Sequence, residues 1–220
     1  MIFNTLKKLA TWKILAILWI ISVLPFVLVK AFHPWMYTVL EIKSYLAFHN
    51  FAEFFSVMVA LSMFSVGWYS YQQSQNSFSL FMGCAFLTIG AIDFMHALSY
   101  PGMPDFITPN SANKSTQLWI VTRGYFAIAL IVSYYSQRKE PRRIIARYKM
   151  LAGSVLFPFL IFVGVVFFPG YLPATFSEDT GLTAFKVISE YCIIILLFFS
   201  LYLYQRQYAK RANKVILYLM

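Results

Sequence analysis

Apolar residues in this chain come in long unbroken runs, separated by short polar or Pro/Gly-bearing stretches. They show neither the alternation of a half-buried strand nor the narrow stripe of a surface helix. Six runs approach the ~20 residues that a helix needs to cross a bilayer core. They predict spans at Lys13–Val29, Ser44–Tyr69, Phe78–Leu98, Gln117–Tyr135, Met150–Phe168 and Thr183–Tyr204. After "QRQYAKRANK" the chain turns apolar again as "VILYLM", which reads either as a short interfacial helix or as the start of a seventh span. The predicted fold class is all-α, a polytopic transmembrane helix bundle. A strand barrel is disfavoured, because its segments would alternate.

Composition agrees. Of 220 residues, 60% are hydrophobic and 12% charged. A soluble domain is nearer half apolar and a quarter charged, so lipid is the expected solvent. The net charge of +10 gains its meaning from where the basic residues lie. Lys7, Lys8 and Lys13 flank the first span. Arg138, Lys139, Arg142, Arg143, Arg147 and Lys149 join the fourth to the fifth. Arg206, Lys210, Arg211 and Lys214 follow the sixth. Lys30, Lys43, Lys114 and Lys186 fall on the other side. The positive-inside rule then places both ends of the segment in the cytoplasm. This accounts for the charge without a nucleic acid partner. The first span has no clear small-x-small cleavage site and reads as a retained anchor. Cys84 and Cys192 fall inside spans, where they read as small apolar residues with no disulfide framework. Residues 1–220 read as one integral membrane domain without a soluble effector.

Ionisable residues inside the spans narrow the function. His49 and Glu53 open the second span, Asp93 and His96 close the third, and Arg123 and Glu190 lie early in the fourth and sixth. With alternating span directions, all six share one layer in the outer leaflet. His49 and Glu53 are i,i+4, and Asp93 and His96 are i,i+3, so each pair shares a helix face. Such residues usually face the bundle interior and mark function. Two imidazoles and two carboxylates suit a metal ion, with His49, Glu53, Asp93 and His96 as ligands. A haem held by the two histidines is a weaker alternative. A ligand-free network of polar side chains holding helices together remains open. H-E-x-x-H is absent and no nucleophile–base pair is visible, so an enzyme is not expected.

The loop "SYPGMP" predicts a type II turn at Pro101–Gly102. Ser115 or Thr116 is the expected N-cap of the fourth span, and Trp119 an interfacial aromatic. Tyr100–Thr116 and Pro169–Leu182 are long enough to lid the polar layer.

"DFMHALSYPGMPDFITPNSANKSTQLWIVTRGY", "HNFAEFFSVMVALSMFSVGW" and "EDTGLTAFKVISEY" closely resemble the blocks of a bacterial membrane-associated sensor domain, the third of the MASE-type families. The resemblance implies sensory input, with a cytoplasmic histidine kinase or diguanylate cyclase module as the output partner in relatives. It implies a ligand- or signal-binding role for His49, Glu53, Asp93, His96, Gln117, Trp119, Arg123 and Glu190. Relatives continue through further spans, so the chain resembles a truncated sensor. The expected partners are the lipid bilayer, a small ligand or ion of unknown identity, and a second copy in a homodimer. The alternative reading is a small ion or proton transporter or a metal-dependent membrane protein. The inner half of the bundle offers few relay residues for it.

Overall fold

The computed structural model describes residues 42–136 and 144–218, with scattered positions between 20 and 32. It divides into two compact units, Met1–His49 and Asn50–Met220. In the first unit, the described positions between 20 and 31 are helical, and Phe32 N donates to Leu28 O at 2.9 Å. Most of the expected first span lies outside the described residues.

Five long helices follow: α1 (Ile42–Ser74), α2 (Ser77–Leu98), α3 (Ala112–Ser136), α4 (Ile144–Phe167) and α5 (Ala184–Tyr218). All five are long and apolar enough to cross a membrane. A short 3₁₀ turn (Pro169–Tyr171) and a two-stranded antiparallel hairpin, β1 (Phe176–Ser177) and β2 (Gly181–Leu182), lie between α4 and α5. The division between the units falls within α1. In the second unit α3 packs against α2 and α5, and α4 packs mainly against α2.

Local chemistry explains the boundaries. Nothing between Ile42 and Ser74 breaks a helix, so α1 overruns its expected ends. It stops where Gln75 takes φ 55° and Asn76 Oδ1 caps α2 by accepting from Phe78 N at 3.0 Å. The Pro101–Gly102 turn forms as expected: Gly102 has φ 92° and Met103 N donates to Tyr100 O at 3.1 Å. The expected cap of α3 is corrected. That helix starts a turn earlier, at Ala112, and Ser111 Oγ accepts from Lys114 N at 3.1 Å. Several polar residues in "NSANKST" can cap, and the first one in a suitable position does so.

The expected seventh element is also corrected: α5 runs unbroken from Ala184 through Tyr218. "QRQYAKRANK" holds no Pro or Gly and is rich in helix formers, so nothing ends the helix. Its length of roughly 50 Å at 1.5 Å per residue exceeds a ~30 Å hydrocarbon core.

Two contacts fix how the helices meet. A Cβ on Gly67 of α1 would lie 2.5 Å from Ser79 O and 2.8 Å from Gly83 Cα of α2, so these helices touch backbone to backbone. In α4, Pro158 has no N–H to give to the carbonyl four residues earlier. That carbonyl belongs to Ser154, and Thr88 Oγ1 of α2 lies 3.1 Å from it as a donor. The side chain satisfies across the bundle what the proline leaves open, as apolar surroundings require.

At the end of the unit where α2 stops and α3 starts, the connecting loops are tied down. Lys114 is 6% exposed. Its ammonium donates to Phe106 O and Thr108 O at 3.0 Å, Thr108 Oγ1 at 3.1 Å and Asn110 Oδ1 at 3.2 Å. Ile107, between the two carbonyl acceptors of this cradle, sits at φ 66°, a costly conformation for a β-branched residue. Asn113 Oδ1 accepts from Thr175 N at 2.7 Å and Phe176 N at 3.1 Å, which joins the α4–α5 connection to α3.

Candidate functional site

Beneath those loops lies a connected set of polar side chains. Helix α2 ends on Asp93 and His96, both buried. His96 Nδ1 lies 2.7 Å from Ser115 O at the start of α3. A carbonyl oxygen accepts and cannot donate, so Nδ1 carries the proton and Nε2 is the other working atom of the ring. Nε2 lies 3.9 Å from Glu53 Oε1 of α1, which is too long for a hydrogen bond. Glu53 Oε2 is buried without a hydrogen-bond partner among the described residues.

Asp93 turns to α3. Its Oδ2 lies 3.9 Å from Arg123 Nη1, and its side chain is 2% exposed against 34% for Arg123. Its Oδ1 has no hydrogen-bond partner among the described residues. Arg123 also lies over Trp119, with Cζ 5.7 Å from the ring centroid. Lys186 Nζ of α5 lies 5.1 Å from the same centroid, within the range of cation–π attraction. Lys186 is ion-paired to Glu190 one helical turn later.

Contacts therefore run Glu53–His96 from α1 to α2, Asp93–Arg123 from α2 to α3, and Trp119–Lys186–Glu190 from α3 to α5. Gln117 stands at the rim, its Nε2 donating to Pro173 O at 3.0 Å in the α4–α5 connection. His49 belongs to the first unit, where it stacks on Tyr45 with centroids 6.0 Å apart. It lies on α1 one turn before Glu53.

Sequence reasoning missed three participants. Lys186 was legible, since it stands four residues before Glu190 on one helix face. The carbonyl of Ser115 and the cradle of Lys114 were not. Backbone acceptors carry no side-chain signature, and the loop must fold before its oxygens converge.

Residues 40–220 match the membrane-associated sensor domain family. The chain belongs to that family. The match includes every residue of the polar set, from His49 to Glu190. No curated protein and no solved structure matches the chain. Family membership and five apolar helices together make this a multi-pass membrane protein with a membrane-embedded sensory input domain.

Proposed function

We propose that the polar set running from Glu53 to Glu190 is the signal-binding site of this sensor domain. In this reading the loop-bearing end faces outward across a bacterial inner membrane, and the N-terminus is cytoplasmic. The signal reaches the site from outside the cell or from the outer leaflet. His49, Glu53, Asp93 and His96 form its α1–α2 half. Gln117, Trp119, Arg123 and Glu190 form its α3–α5 half. A ligand shifts a packing equilibrium only if it binds one packing better than the other. Occupancy between α2 and α3 changes the Asp93–Arg123 pair and, through Trp119 and Lys186, the seat of α5.

The observation that carries the reading is the unbroken line of contacts ending on α5. This helix is tied to α3 again at its other end, where Ser133 Oγ and Tyr204 Oη lie 2.5 Å apart. At 35 residues it is longer than a ~30 Å hydrocarbon core requires, which suits it to push on a cytoplasmic histidine kinase or diguanylate cyclase module in a homodimer.

The test is a fusion of the chain to a kinase module, with autophosphorylation as the readout. Asp93→Asn and Arg123→Gln should each shift basal output at least severalfold while insertion is retained. Unchanged output from a stably inserted double variant would sink the proposal.

A further inference from the structure

Resting on that reading of the layer, we propose that Glu53 and His96 bind a divalent first-row transition metal ion, so that the signal species is a metal cation. The argument starts from charge. Of the three carboxylates in the layer, Asp93 faces Arg123 and Glu190 is paired with Lys186. Glu53 faces an imidazole instead. A carboxylate in apolar surroundings needs a counter-charge. A cation between the two groups would supply it.

Geometry points to the cation. With Nδ1 held by Ser115 O at 2.7 Å, Nε2 is the ring atom that faces Glu53 Oε1. A histidine whose other N–H is held by a backbone carbonyl is the usual form of a metal ligand, because the bond sets the tautomer and the ring plane. The gap of 3.9 Å is longer than a hydrogen bond and leaves room between the two atoms. Two donors each about 2.0–2.1 Å from one ion can stand as far as about 4.1 Å apart, so a single ion reaches both. Glu53 Oε2, buried and without a hydrogen bond, is then available as a second carboxylate contact.

One imidazole and one carboxylate select zinc, ferrous iron or a similar ion over calcium or magnesium, which prefer all-oxygen sites. Haem does not fit this gap: a porphyrin bound through Nε2 would have to occupy the place of the Glu53 carboxylate. Asp93 is committed to Arg123 and is not a ligand in this proposal.

The experiment uses the full chain in lipid nanodiscs, purified without chelator. Zinc content is measured by elemental analysis, and zinc affinity by titration. Cobalt(II) serves as the spectroscopic probe. The expected result is one ion per chain and a rise in Tm on adding zinc. Affinity should fall at least about tenfold in Glu53→Gln and His96→Ala, the scale seen when even supporting groups of a metal site are lost. His96→Cys, which keeps a ligating atom, should restore part of it. Asp93→Asn should retain the metal. Wild-type protein that takes up no more zinc than the Glu53→Gln/His96→Ala double variant overturns the inference. So does a Tm response to zinc that persists in Glu53→Gln, a readout that needs no unfolding-prone variant. Stoichiometric metal with no effect on fused kinase output would instead overturn the sensory reading and leave the site standing.

Discussion

Lys114 and Glu53 are both charged groups shielded from water near the same end of the bundle, and their surroundings differ. Four oxygens from the loop surround the Lys114 ammonium at hydrogen-bond distance. They include two carbonyls presented by the left-handed turn at Ile107. Glu53 has an imidazole at 3.9 Å and one oxygen without a hydrogen bond, and Asp93 repeats the pattern with Arg123. A fully satisfied buried charge rigidifies a structure, whereas a partly satisfied one costs stability and persists when it has another use. The loops are the fastening, and the layer beneath them carries the incompletely satisfied charges.

The strongest way to break this contrast is Lys114→Met. It removes charge-assisted hydrogen bonds and leaves carbonyls unpaired, so we expect a loss of about 2–3 kcal/mol. It should appear as a lower Tm and as early protease cleavage between Ser99 and Ser111. Next comes Thr88→Val, which strands the Ser154 carbonyl freed by Pro158. Interhelical hydrogen bonds of this kind average about 0.6 kcal/mol, so a small fall in Tm is expected, and an increase would contradict the assigned contact. Ser111→Ala, the cap of α3, should cost up to about 1 kcal/mol, measured the same way. Arg123→Lys should change stability by less than about 1 kcal/mol, since the pair with Asp93 is long and half-exposed. The sharpest contrast comes from the smallest expected effect. Glu53→Gln should leave Tm unchanged or raise it in metal-free protein, because it removes a buried charge whose hydrogen bonds are incomplete. A loss of several degrees there, matching Lys114→Met, would make the layer as structural as the loops.

Much of this was legible beforehand. The five described helices lie where the apolar runs predicted them, because in lipid a continuous run must satisfy its own backbone hydrogen bonds and so forms a helix. Direction alternates between spans, so shared depth placed Glu53, Asp93, His96, Arg123 and Glu190 in one layer. The errors came at the edges. The cap of α3 lay one turn earlier than expected, because "NSANKST" offers several equivalent starts. "VILY" continues α5, because the ten residues of "QRQYAKRANK" hold no breaker.

Pairing within the layer was beyond the sequence. Spacing grouped Asp93 with His96 as joint ligands, since they share a face of α2. The packing of α3 instead brings Arg123 to Asp93 and the Ser115 carbonyl to His96. By itself, the sequence determined that this is a helical membrane domain, because run length and period specify apolar helices. Tertiary structure alone decided which charge meets which partner and how far away. Those distances depend on the close crossing at Gly67 and Gly83 and the proline-freed carbonyl in α4, made by residues distant in the chain, and on the loop that Lys114 holds locally.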